Sequence, residues 1–185
     1  MFNIFSSFIS EHNFNFNIKN MEKEILKINK KNSGKKISNY GGWQSLNFYN
    51  VEKPFVNLFD EIDKIILNIK NKLEIKDPVK FHNYWLNINT LGSFNKPHYH
   101  IGSIISGVFY ITTPQNCGNI IFQHRFPITE YYGLNIKKYN EYNSEEYFIK
   151  PTENLCILFP SYLPHYVEPN LSKQNRISIS FNYGF

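Results

Sequence analysis

Two cysteines in 185 residues, Cys117 and Cys156, with no C-x-x-C spacing, exclude a disulfide framework and a thiolate metal site. Both read as small packing residues, which fits a reduced, cytoplasmic setting. Long apolar runs are missing as well. The opening Met1-Phe2-Asn3-Ile4-Phe5-Ser6-Ser7-Phe8-Ile9 has no basic leader and is interrupted by Asn and Ser, so neither a signal peptide nor a membrane span is expected. A concentrated basic track is absent. The net charge of +5 comes mostly from lysines strewn through residues 19–36 and 64–80, which read as solvated helix faces and argue against a nucleic-acid partner. No internal repeat or hinge-like linker divides the chain, and 185 residues suffice for one domain with a sizeable core.

Convincing helical spacing is found in the first 80 residues, and beyond them only the stretch 130–147 is ambiguous. Asn20 is positioned to cap a short helix running through Lys31, with Glu22 and Glu24 in its first turn and Asn32-Ser33-Gly34 ending it. After Pro54, the residues Phe55, Leu58, Phe59, Ile62, Ile65, Ile66, Ile69 and Leu73 recur at helical spacing, while Glu61, Asp63, Lys64, Lys70 and Lys72 occupy other faces. This stronger helix should buttress a sheet.

From residue 81 the pattern changes to short strands between turn residues. Residues 81–90 read as a strand with Phe81, Asn83, Trp85, Asn87 and Asn89 on one face. Further strands are expected at Ser106–Thr112, Ile120–His124, Leu155–Phe159, His165–Glu168 and Arg176–Asn182, separated by Pro114-Gln115-Asn116-Cys117-Gly118, Pro160 and Pro169-Asn170. Many short strands with helices gathered in front indicate a mainly β, α+β protein built on a double-sheet jelly roll or barrel. The expected organisation is a single domain over 1–185: a mostly helical buttress over 1–80, a β core over 81–185, and a tyrosine-rich insertion at 126–148. That insertion, with Tyr131, Tyr132, Tyr139, Tyr142 and Tyr147, suits either a lid or a peripheral packing flap. The last strand is the clearest. Arg176, Ser178, Ser180 and Asn182 fall on one side and Ile177, Ile179 and Phe181 on the other; if the polar side faces a barrel mouth, it forms a ligand-binding wall.

The chemistry concentrates in Lys96-Pro97-His98-Tyr99-His100, in the distant His165, and in Arg176-Ile177-Ser178. Histidines at i and i+2 of an extended segment point to one side, and a third from another strand can close a facial set around one metal ion, as in non-haem iron oxygenases. A planar guanidinium grips a carboxylate with two parallel hydrogen bonds, so Arg176 beside a metal suggests a chelating oxo-acid cosubstrate. His12, His82 and His124 lack such partners and read as surface or packing residues. A germin-like cupin would want a glutamate about five residues after His-x-His, but Ser103-Ile104-Ile105-Ser106 stands there and no acid follows until Glu130.

The order His-x-His, distant His and Arg-x-Ser resembles the 2-oxoglutarate/Fe(II)-dependent oxygenases. More specifically, Asn39-Tyr40-Gly41-Gly42-Trp43-Gln44-Ser45, His98-Tyr99-His100 leading into Ser106-Gly107-Val108-Phe109-Tyr110, and Leu158-Phe159-Pro160-Ser161-Tyr162-Leu163-Pro164-His165-Tyr166-Val167 are similar to a largely uncharacterised oxygenase group of marine bacteria and phages. The resemblance implies a double-stranded β-helix with iron at one end. It implies His98 and His165 as ligands, Arg176 as partner of the distal carboxylate of 2-oxoglutarate, and Ser178 as a second donor to it. Tyr110 and Asn87 are candidates for the same pocket. His100 departs from the commoner pattern, which has a carboxylate there. It is either a neutral third ligand, leaving the site one unit more positive, or a residue turned aside with water in its place. The implied reaction is hydroxylation of a substrate chosen by the variable loops, with release of succinate and CO2. A three-histidine jelly-roll enzyme that uses no 2-oxoglutarate, and a non-catalytic jelly-roll binding module, stand as alternatives.

Overall fold

A computed structural model describes residues 7–124, 133, 135–140 and 143–185. The elements in order are β1 (Ser10–Asn13), α1 (Ile18–Lys31), β2 (Asn39–Tyr40), β3 (Trp43–Gln44), α2 (Val56–Lys72), β4 (Lys80–Asn89), β5 (Phe94–His98), β6 (Ile105–Thr112), β7 (Ile120–Gln123), β8 (Glu146–Ile149), β9 (Leu155–Pro160), β10 (His165–Val167) and β11 (Arg176–Gly184). The strands form two antiparallel sheets, one ordered β1-β9-β6-β11-β4-β3 and the other β2-β5-β10-β7-β8. This mainly β arrangement with two helices is the double-stranded β-helix expected from the strand pattern. Strands β1, β2 and β3, all from the first 80 residues, lie at sheet edges and give otherwise open strands a partner.

Period-two alternation sorts the side chains into two apolar layers. Ile177, Ile179, Phe181 and Tyr183 of β11 join Tyr84, Leu86 and Ile88 of β4 and Phe109 and Ile111 of β6 against Met21 and Ile25 of α1 and Leu58, Phe59, Ile62 and Ile66 of α2. Val108, Tyr110, Ile120, Phe122, Leu155, Ile157 and Phe159 face the space between the sheets. Gly107 is a packing requirement: a Cβ there would collide with the Phe181 ring and the Ile157 carbonyl. The Tyr183 hydroxyl, buried on the helix side, donates to Asp63 Oδ1 at 2.5 Å and ties α2 to β11.

Three local expectations need correction. Helix α1 begins at Ile18, and Asn17 caps it by accepting the Lys19 N–H at 3.3 Å, so Asn20 lies inside the first turn and that turn holds no acid. The earlier start lets Ile18 pack on the core together with Phe14 and Phe16. Leu73 is the C-cap of α2 and is exposed. Phe81 does not share a face with Asn83: pairing with β11 passes from Asn182↔Asn83 to Tyr183↔Phe81, so His82 is bulged out and Phe81 turns to the helix side against Phe59.

The tyrosine-rich insertion joins β7 to β8. Phe126, Tyr131, Tyr132 and Tyr142 lie outside the described residues. Its last part is strand β8, paired with β7 from Ile120↔Ile149 to Gln123↔Glu146. Among the described residues no helix is long and apolar enough to cross a membrane. Cys117 and Cys156 are free and buried.

Candidate active site

His98 ends β5 and His165 begins β10, and antiparallel pairing makes them direct cross-strand partners. Their ring centroids are 4.4 Å apart. His100 lies just past β5, where its backbone N–H donates to the Ser161 carbonyl at 2.8 Å; its ring sits 5.3 Å from that of His98 and 5.1 Å from that of His165. One ligand nitrogen from each of the three falls within 4.8 Å of the others.

Hydrogen bonding shows which ring nitrogens are left for a metal ion. His98 Nδ1 donates to the Lys96 carbonyl at 2.7 Å, and His165 Nδ1 donates to the Leu163 carbonyl at 2.9 Å. A carbonyl can only accept, so each Nδ1 carries the proton and each Nε2 keeps its lone pair. In both cases the acceptor lies two residues earlier in the chain. His100 Nδ1 faces Asn182 Oδ1 at 2.8 Å. The three Nε2 atoms are therefore the free donors.

Burial lowers the pKa of all three rings. For His98 the Lys96 carbonyl opposes that effect in part. His100 is brought down to about 4 by burial, against the bond to Asn182 and with a further lowering from His98. His165 lies well below the ordinary histidine value through burial and then repulsion from His98 and His100. Neutral imidazoles at neutral pH are what a metal ion requires. Phe159 packs 4.7 Å and Phe122 6.0 Å from the His165 ring, and Trp85 lies 5.5 Å from that of His100, so the cluster has aromatic walls.

Arg176 opens β11 on the cavity side and is 1% exposed. Its Nη1 donates to the carbonyls of Cys117, Gly118 and Glu168. Gly118 makes that cradle possible: it adopts φ +83°, and a Cβ there would meet the Glu168 carbonyl oxygen at 2.5 Å. Arg176 Nη2 is buried with no partner. No acid pairs with the guanidinium among the described residues. The ion pairs there are Lys27–Glu24 and Lys64–Glu61, and the Glu168 carboxylate is engaged by the Asn119 N–H at 2.9 Å. Burial lowers the Arg176 pKa, opposed by Tyr110, Cys117 and Glu168, but a guanidinium stays charged. A buried cation with a free donor is an anion site.

Register explains the neighbouring polar groups. Ser178 pairs with Asn87 on one side and Tyr110 on the other, so the three form a row across β4, β11 and β6. Asn87 Nδ2 donates to Ser180 Oγ at 3.0 Å. Burial pushes the Tyr110 pKa up, keeping its phenol protonated. The polar face of β11 thus lines a cavity of about 530 Å³ that also holds His98, His100, His165, Tyr110 and Asn87.

All seven side chains singled out in the sequence meet in this one cavity. Sequence reasoning missed the parts behind them. Ser106 and Ser161, both fully buried, contact His100 or one another, and Lys35 and Trp85 line the cavity. Asn182 lies on the polar face of its strand, and only the pairing of Asn83, Asn182 and Ser106 together with the docking of the sheets brings it to His100. His12 bonds Ser10 Oγ at 2.7 Å, and His82 contacts the Phe185 carbonyl at 3.1 Å and lines the cavity.

A jelly roll holding a metal-ready imidazole triad beside a carboxylate-ready guanidinium is the architecture of a non-haem metal enzyme with an acidic cosubstrate. The family described as "Putative 2OG-Fe(II) oxygenase" matches residues 83–182, and the chain belongs to it. The cofactors of that family are Fe(II) and 2-oxoglutarate, and the donor set here fits both. No curated protein sequence matches the chain significantly. Among solved structures, the fold is similar to a prolyl-4-hydroxylase of Pseudomonas putida, with TM-score 0.68 and 13% identity over 95% of this chain and 91% of that one. It is also similar to a prolyl hydroxylase of Trichoplax adhaerens in complex with a hypoxia inducible factor peptide, with TM-score 0.69 and 16% identity over 95% and 83% of the two chains. HygX of Streptomyces hygroscopicus with nickel and 2-oxoglutarate bound gives TM-score 0.62 and 12% identity over 95% and 82%. At these identities the likeness concerns the fold.

Proposed function

We propose that this protein hydroxylates a substrate using Fe(II) and 2-oxoglutarate, with His98, His100 and His165 holding the iron and Arg176 holding the distal carboxylate of the cosubstrate. The observation that carries this reading is the unpartnered, buried Nη2 of Arg176, a residue that lines the same cavity as the three imidazoles of the His98, His100 and His165 cluster. Bound iron supplies the oxidative chemistry, in which 2-oxoglutarate, O2 and a C–H bond give succinate, CO2 and an alcohol. The chain's own groups orient and shelter. The Nδ1–H bonds to Lys96 and Leu163 aim two ligand rings, Arg176 Nη2 binds the carboxylate, and Ser178 and the protonated Tyr110 stand within the same row as further donors. Phe122, Phe159 and Trp85 pack their rings against His165 and His100 and give the triad apolar walls. Among the described residues the charged side chains lining the cavity are Lys35 and Arg176, both cationic, which suits a neutral or anionic primary substrate.

Anaerobic titration with Fe(II) and then 2-oxoglutarate tests the assignment through the visible charge-transfer absorption of the chelate. The wild type should develop the band. Arg176→Ala should weaken 2-oxoglutarate by roughly 10–100-fold, the loss of a charge-assisted hydrogen bond, with little change in iron affinity, whereas His165→Ala should lose both. Iron binding without the band would favour a three-histidine enzyme using no 2-oxoglutarate, and no iron binding would favour a jelly-roll binding module.

A further inference from the structure

We infer that Asn182 is a positioning residue that fixes His100 as the Nδ1–H tautomer and so makes it a third metal ligand. The inference rests on the metal site proposed above and adds a residue to it. His100 stands at the position where the commoner family pattern has a carboxylate, and an imidazole there is useful only if the correct nitrogen is bare.

The surroundings of His100 leave one consistent placement of protons. Ser106 and Asn182 are cross-strand partners, as are Asn182 and Asn83, so the three lie in one row across β6, β11 and β4. Asn182 Nδ2 donates to Asn83 Oδ1 at 3.2 Å, which turns its carbonyl oxygen toward His100. That oxygen lies 2.8 Å from His100 Nδ1 and 2.8 Å from Ser106 Oγ. It is an acceptor only and needs a hydrogen from each. Ser106 spends its single hydrogen on Asn182. Its oxygen then accepts from the Ser161 hydroxyl at 2.7 Å and receives a share of the His100 Nδ1–H at 2.7 Å. A bare Nδ1 would set two lone pairs against each other at 2.8 Å in a buried site. Nδ1 is therefore protonated and Nε2 carries the lone pair facing the triad.

The device differs from that of the other two ligands. His98 and His165 each use a backbone carbonyl two residues earlier, fixed by the course of their own segment. His100 lies beyond the end of β5 and takes its acceptor from the side chain of a residue on β11, in the other sheet. The third ligand thus depends on the two sheets being docked, and on one carboxamide that substitution can remove. Hydrogen-bonded acceptors behind ligating histidines typically contribute 10–100-fold in metal affinity.

The test measures Co(II) and Fe(II) affinity, together with the Co(II) d–d spectrum, in full-length wild type, Asn182→Ala, Asn182→Asp and His100→Ala. Asn182→Ala should bind both metals about 10–100-fold more weakly, with an altered Co(II) spectrum. Asn182→Asp restores an acceptor at the same place and should recover most of that affinity. Recovery by Asp separates the acceptor facing His100 from the donation to Asn83, because a carboxylate restores the first and not the second, and the Co(II) spectrum reports the ligand set rather than the packing. Wild-type affinity and spectrum in Asn182→Ala, while His100→Ala is impaired, would overturn the role of Asn182 and leave the three-histidine site standing. An Asn182→Asp variant as weak as Asn182→Ala would overturn it equally. Wild-type affinity in His100→Ala would overturn both the inference and the third ligand, and absence of metal binding by the wild type would remove the reading beneath them.

Discussion

The two faces of β11 are made by the same strand and do opposite things. Ile177, Ile179, Phe181 and Tyr183 are fully buried against the helices, where the side chains are apolar or, for Tyr183, given a partner in Asp63. Arg176, Ser178, Ser180 and Asn182 point between the sheets, where a guanidinium nitrogen is left unpartnered and a cavity of about 530 Å³ remains open. A sequence selected only for stability would fill that space with aliphatic side chains, since buried polar groups cost free energy unless fully bonded. Alternation therefore separates folding from chemistry one residue at a time.

That contrast predicts that damage to one face should leave the other intact. The largest effect is expected from Phe181→Ala, which empties the space over Gly107 and beside Phe59. A loss of about 3–5 kcal/mol follows from comparable core truncations, or roughly 10 °C in Tm for a chain of this size. Iron affinity measured well below that Tm should be unchanged; a weakened site would mean the two layers are coupled.

Acidification probes the inner face. The folded protein holds His100 at about 4, below the ordinary 6.5, so between these values the unfolded chain takes up a proton that the folded, metal-free chain refuses. Its contribution is fully present above the unfolded pKa and is lost as pH falls from about 6.5 toward 4. From pH 7 to 5 the metal-free protein should lose about 2 kcal/mol from His100 alone, with His98 and His165 adding in the same direction. Denaturant unfolding at several pH values measures this, and a stability that is flat or rising on acidification would contradict neutral, buried imidazoles. The smallest effect belongs to Tyr183→Phe, which removes one hydrogen bond to Asp63 and should cost about 1 kcal/mol with no change in metal or cosubstrate binding.

Much of this was legible in the chain. The polar and apolar sides of Arg176–Asn182 follow from strict alternation, and both helices and six of the strands follow from period and turn residues. Strand β5 was hidden because Phe94–His98 contains Asn, Lys and Pro and shows no apolar alternation; it is held as a strand by β10 and β2. The short edges β2 and β3 have too few residues to carry a period. Bulging of His82 reverses Phe81, which no count of alternating residues reveals. At the site, residue types named the triad and the arginine. The acceptor behind His100 could not be named, because Asn182 reaches it only through the docking of two sheets, a relation absent from local spacing.

If three neutral imidazoles and one buried guanidinium together hold iron and 2-oxoglutarate, both ligands should be seen in place. A crystal structure of the protein grown without oxygen in the presence of Fe(II) and 2-oxoglutarate addresses this at atomic level. It should show iron bonded to the Nε2 atoms of His98, His100 and His165, with Arg176 Nη2 on the distal carboxylate. Iron bonded elsewhere, His100 swung away from it, or Arg176 Nη2 still without an anionic partner would rule out that arrangement.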